Sequence, residues 1–137
     1  MIILGVDYGD KRVGLAVTDG ISQMAHALTV LSKASALRDI KEIVREYEVK
    51  LIVVGMPMNL KGDVAFKAKQ VLAWIEELKK TCAGIPVETF DERFSTFEAE
   101  ESLLEADLTR EKRKKVIDKL AARNILQGYI NMKKENK

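Results

Sequence analysis

The spacing of apolar residues changes along this chain, and each change marks an element. Ile2-Ile3-Leu4-Gly5-Val6 is an apolar run that ends on Asp7, and Val13 to Thr18 follows after the polar turn Tyr8-Gly9-Asp10-Lys11-Arg12. Two such runs across a glycine-containing turn predict a hairpin of Ile2 to Asp7 and Val13 to Thr18, with Ala27 to Leu31 as a third antiparallel strand. The period then becomes helical: Leu37, Ile40, Ile43, Val44 and Tyr47 fall on one face. Leu51-Ile52-Val53-Val54-Gly55 is continuously apolar, the pattern of a strand covered on both sides. A second helix carries Val64, Ala68, Val71, Leu72, Ile75 and Leu78 on one side and stops at Gly84-Ile85-Pro86. Val87 to Phe90 forms the last strand and runs into Asp91-Glu92-Arg93. Ser95 and Glu98 make a capping box that opens a helix. A longer helix from about Thr109 carries Ile117, Leu120, Ala121, Asn124, Ile125 and Tyr129 and frays in the basic tail Lys133 to Lys137. The order predicts an α/β fold, a mixed five-stranded sheet flanked by helices.

Composition narrows the class. With 137 residues, 47% of them hydrophobic, the chain has enough apolar material for one core, and residues 1–137 read as one domain. No apolar run approaches the roughly 20 residues that span a bilayer, and no secretory signal pattern opens the chain, so a cytoplasmic protein without membrane association is expected. Cys82 and His26 are the single cysteine and histidine, which excludes an internal disulfide and a zinc-type ligand cluster. Cys82 reads as a small apolar residue near a helix end.

Candidate chemistry lies in acids at element ends. Ligands of α/β sheets gather beyond the carboxyl ends of parallel strands, where Asp7, the Gly55 loop and Asp91-Glu92 fall. Asp118 shares a helical stripe with Ala121, Ala122, Ile125 and Tyr129, which aims it at the sheet. Each acid has a plainer reading: a turn residue for Asp7, a solvated turn for Asp91-Glu92-Arg93, a surface pair with Arg123 or Lys114 for Asp118. Their convergence on one end of one sheet favours a site. Carboxylates gathered without a cation repel and take up protons, whereas a divalent ion stabilises them. Oxygen ligands without His or Cys point to magnesium or manganese.

Charged residues make up 32% of the chain with a net charge of +2, so distribution matters more than the total. Lys11 and Arg12 follow Asp7, Arg93 follows Glu92, and Arg110, Lys112, Arg113, Lys114, Lys115, Lys119 and Arg123 crowd the start of the last helix. Such a run is a solvated helix face or a track for backbone phosphates, which bind by charge without sequence preference.

Four segments together resemble a known family. They are Asp7-Tyr8-Gly9-Asp10-Lys11-Arg12-Val13-Gly14; Val54-Gly55-Met56-Pro57-Met58-Asn59 with Gly62; Asp91-Glu92-Arg93-Phe94-Ser95-Thr96 with Glu98-Ala99; and Lys115-Val116-Ile117-Asp118 with Ala121-Ala122 and Ile125-Leu126-Gln127. In this order and spacing they resemble the YqgF family of pre-ribosomal-RNA nucleases and Holliday junction resolvase-like proteins, over nearly the whole chain. The resemblance implies a ribonuclease H-like fold, a cytoplasmic location and a nuclease role at the 5′ end of the small-subunit ribosomal RNA precursor. Carried over by motif, Asp7, Glu92 and Asp118 are the metal-binding and catalytic acids. Leu60-Lys61-Gly62-Asp63 departs from the family pattern before the loop glycine. Resolvases of related fold place an acid near the end of the fourth strand, where Asn59 stands here, so Asn59 is assigned to substrate or site support.

The expected reaction is magnesium-dependent phosphodiester hydrolysis, with Lys11, Arg12, Asn59, Arg93, Lys114, Lys115 and Arg123 on the nucleic acid. The expected partners are structured RNA precursor or branched DNA and ribosomal particles, for a monomer or homodimer. Two other classes remain: an ATP-dependent enzyme of the actin and sugar-kinase type, against which the length argues because such enzymes close two related halves, and a nucleic-acid or ribosome-associated factor that does not cut.

Overall fold

The structure is a computed structural model that describes residues 1–21, 23–57, 63–92 and 110–135, with residues 63, 64, 110, 111 and 113–115 described by backbone alone. Its elements are β1 (Ile2–Tyr8), β2 (Arg12–Thr18), β3 (Ala25–Ser32), α1 (Ala36–Glu46), β4 (Val49–Met56), α2 (Asp63–Thr81), β5 (Val87–Asp91) and α3 (Arg110–Glu135). The strands form one mixed sheet in the order β3-β2-β1-β4-β5. β1 pairs antiparallel with β2 and β2 with β3, while β1 and β4, and β4 and β5, are parallel. This is the predicted architecture, with most element edges extended by one or two residues. The Ser95–Glu98 capping box lies outside the described residues.

Alternation along the strands divides the core into two layers. On one face Leu4 and Val6 of β1, Val13 and Leu15 of β2, and Ile52, Val54 and Met56 of β4 pack with Ile40 of α1 and with Val71, Trp74, Ile75 and Leu78 of α2. On the other, Ile3, Ala16, Leu51, Val53 and Phe90 pack against Ala122, Ile125, Leu126, Tyr129 and Ile130 of α3. β4 is thus buried on both sides, as its continuous apolar run requires. Leu72 was expected on the buried side of α2 but is half exposed, because the helical turn places it about 100° from Val71 and off the stripe that Trp74 completes. Cys82, just past α2, is buried, and burial pushes its thiol pKa up. The α2 stop is made by Gly84, whose φ of 94° is a left-handed conformation suited to glycine.

How closely α3 approaches the sheet is set by glycines on the face it covers. A Cβ on Gly5 would stand 2.7 Å from the Leu126 Cβ, and one on Gly14 would collide with the Asp118 carbonyl oxygen. The third, on Gly55, would meet Ile125 and Glu92. Without side chains at these positions the helix backbone settles onto the strands. Farther along, the Gln127 Oε1 accepts from the Ala25 N–H at 3.0 Å, and the Tyr129 hydroxyl donates to Glu88 at 2.8 Å. Burial and that carboxylate push the Tyr129 pKa up to about 12.

Replacing Gly14 by Ala should lower stability by about 1–3 kcal/mol, as overpacking does when backbone must move, and should shift Asp118. Gly84→Ala meets open space and should cost stability through its φ alone. Thermal denaturation compared with the expected magnesium-dependent cleavage separates them: Gly14→Ala loses both, Gly84→Ala only stability.

Candidate functional site

The same alternation that builds the core places the acids. Ile3, Gly5 and Asp7 share the α3 face of β1, so Asp7 lies at the strand's carboxyl end beneath the start of the last helix. Asp7 stands opposite Gly14 in the β1–β2 register, and the Asp118 backbone rests on Gly14. The missing Cβ therefore brings Asp118 to the strand that neighbours Asp7. Glu92 follows Phe90 by two positions, and its carboxylate lies over Gly55: a Cβ there would be 3.0 Å from both its Cγ and its Oε1. Asp91 alternates to the other face.

These charges feel one another. Burial raises the Asp7 pKa most, the Glu92 carboxylate adds to it, Lys67 opposes it and Asp118 adds a smaller increase; together they push it up to about 7. Burial likewise raises the Glu92 pKa, with Lys67 opposing and Asp91 reinforcing. The Asp118 carboxylate is turned toward Arg12, whose Nε donates to its Oδ2 at 2.8 Å. This partner lies across the fold, not on the same helix as the surface-pair reading supposed. Among the described residues, no three His, Cys, Asp or Glu side chains are gathered where one ion would touch them all.

Lys11 and Arg12 line a cavity of about 310 Å³ with Gly9, Asp10, Ile117 and Asp118. The turn that carries them is braced: the Gly9 N–H donates to the Arg12 carbonyl at 2.9 Å. Lys33 Nζ donates to the Asp10 carbonyl at 3.0 Å while lying 4.5 Å from the centre of the Tyr8 ring. Arg123 is exposed on α3. Asn59 and Arg93, and the side chains of Lys114 and Lys115, lie outside the described residues.

Lys67 is the site residue that sequence reasoning missed. It was legible in retrospect: Lys67, Val71, Trp74 and Leu78 follow i, i+4, i+7, i+11, so a lysine occupies the apolar stripe of α2 just after the β4 loop. A cation on a buried stripe requires a nearby anion, and Asp7 and Glu92 supply it.

The donor set suits a hard divalent cation. Asp7 and Glu92 offer carboxylate oxygens whose charged form desolvation disfavours, with the Glu92 charge adding to the cost at Asp7, a cost that a cation removes. Nitrogen and sulfur ligands are absent from the described site, which fits magnesium or manganese.

Known proteins place this arrangement in a family. A family model described as "RuvX: Holliday junction resolvase" matches residues 1–132. A relative from Desulforamulus reducens is 45% identical over 134 residues, spanning 96% of this chain and 97% of its own, and carries the name "Putative pre-16S rRNA nuclease". A Clostridioides difficile relative of the same name is 46% identical over 134 residues, covering 96% and 94%. Among solved structures, RuvC of T. thermophilus in complex with Holliday junction substrate has a TM-score of 0.59 at 16% identity and covers 96% of each chain, a likeness of fold. The acids at the carboxyl ends of β1 and β5 and on the covering helix thus sit in a ribonuclease H-like sheet, and the chain belongs to the RuvX family of nucleases.

Proposed function

We propose that this chain is a divalent-metal-dependent nuclease that processes the 5′ end of the small-subunit ribosomal RNA precursor in the cytoplasm, with Asp7, Glu92 and Asp118 as metal ligands. The observation that carries the reading is the pair of half-buried carboxylates at one end of the sheet, Asp7 at the end of β1 and Glu92 over Gly55, where desolvation first and the Glu92 charge second push the Asp7 pKa up to about 7. The names of the relatives supply the RNA. The description of the matching family model favours a second substrate, a four-way DNA junction.

Magnesium or manganese held by these carboxylates would supply activation of water and neutralisation of charge for an in-line displacement. The residues do the rest. Asp7, fixed at the end of a central strand, sets where the ion sits, and Glu92 supplies oxygen from the neighbouring sheet edge. Asp118 completes the set from the helix. Lys67 limits the repulsion between Asp7 and Glu92. Lys11 and Arg12 hold the phosphate backbone in the adjoining cavity.

Asp7→Asn should abolish magnesium-dependent cleavage of a precursor carrying the 5′ leader while leaving RNA binding intact. Comparison on that RNA and on a four-way DNA junction, with and without magnesium, tests the assignment. Cleavage by purified Asp7→Asn at the wild-type rate rejects it, and cutting of the junction alone selects the second substrate.

The raised Asp7 pKa also fixes a pH dependence. With an ordinary carboxyl value of 3.8 and about 7 in the fold, the folded protein binds the proton more tightly than the unfolded chain. The associated stability is fully present below about pH 4 and is lost as pH rises toward 7. In metal-free buffer, Asp7→Asn should melt above wild type at pH 8 and the gap should close by pH 4. Manganese must displace the same proton, so its affinity measured by calorimetry should rise between pH 5.5 and 8.

A further inference from the structure

The Arg12–Asp118 pair joins the two halves of the site. Its Nε–Oδ2 distance is 2.8 Å, and the side chains keep 28% and 27% of their surface exposed, so solvent and ligands reach both. Arg12 projects from the α3 face of β2, two residues before Gly14, and Asp118 rests above it. On one side lies the cavity with Lys11, Gly9 and Asp10. On the other lie Asp7 and Glu92. Asp118 adds to the charge that Asp7 feels, yet less than Glu92 does.

We propose that Arg12 is a positioning residue that couples phosphate binding to completion of the metal site, by exchanging its ion pair with Asp118 for one with a substrate phosphodiester. The inference rests on the metal-dependent reading above. Two opposed pulls drive the exchange. A phosphodiester in the cavity attracts the guanidinium, which grips phosphate oxygens with paired N–H groups, and repels the Asp118 carboxylate. A divalent ion on Asp7 and Glu92 attracts Asp118 and repels Arg12. Each ligand breaks the same pair, so each strengthens the other's binding, and the coupling is reciprocal. With neither bound, Arg12 occupies Asp118, and the third ligand is withheld.

The test measures binding, not cleavage. A phosphorothioate DNA oligonucleotide is titrated into the protein with and without manganese and followed by fluorescence anisotropy, and manganese alone is titrated by calorimetry. In wild type, manganese should tighten oligonucleotide binding by about tenfold, within the usual range of coupling between sites. In Arg12→Gln that gain should fall to about twofold or less, while manganese alone binds more tightly than to wild type because Asp118 is released. Lys11→Gln removes an equal charge from the same cavity without freeing Asp118, and should keep the manganese gain.

Asp118→Asn supplies the reciprocal arm and serves if Arg12→Gln does not fold. Without metal at pH 8.5, where Asp7 is also ionised, it should bind the oligonucleotide more tightly than Asp7→Asn does, since both then lose one charge but only the former frees Arg12. Full coupling in Arg12→Gln, equal loss in Lys11→Gln, or equal oligonucleotide affinity of the two Asn variants overturns the exchange. Wild type that binds manganese but shows no such differences rejects the exchange alone. Wild type that binds no manganese rejects the metal-dependent reading and the exchange with it.

Discussion

The contact between the α3 backbone and the side-chain-free positions of the sheet is the constraint on which the site depends. Gly5, Gly14 and Gly55 lie on three adjacent strands, and at each the space a Cβ would need is filled by α3 or by Glu92. Larger residues would lift the helix by the thickness of a side chain. Asp118 would then stand away from Asp7, because its own peptide is the group that rests on Gly14. Close packing here is therefore a condition of where Asp118 stands relative to Asp7 as well as of stability. The polar ties at the other end of the helix, Gln127 to β3 and Tyr129 to Glu88, fix its direction.

Electrostatics sets a second constraint. Two half-buried carboxylates and a third close by would be costly, and the fold spreads that cost over two cations of different kinds. Lys67 serves Asp7 and Glu92 from the α2 side, and Arg12 serves Asp118 from β2. The remaining strain appears as the raised Asp7 pKa. A cation held between Asp7 and Glu92 would relieve that strain.

Much of this was legible in the sequence because local periodicity carries it. The five strands and the antiparallel pairing of the first three followed from apolar runs, turn glycines and the change of period, whereas the places of β4 beside β1 and of β5 beside β4 come from the structure; alternation fixed which face each strand residue occupies. The stripe of α3 correctly aimed Asp118 at the sheet, but its partner was not legible: helical spacing proposes neighbours three or four residues away, and Arg12 is 106 positions distant. Lys67 escaped because polar residues near a helix start read as solvated. Leu72 misled because hydrophobicity alone does not fix azimuth, and Trp74 took the buried position. Long-range partners depend on how α3 crosses the strands, and no local pattern states that crossing.

The site also has an order of assembly in time. Asp7 is in β1, Glu92 directly follows β5, and Asp118 is on the helix that comes after both in the chain. A ribosome that has released the sheet but not α3 exposes a nascent chain holding two acids without the third, and with the glycine-bearing face of the sheet still uncovered. That chain lacks the peptide that settles on Gly14 and the carboxylate it carries. Synthesis thus completes the five strands before the helix that carries Asp118 is available to cover them.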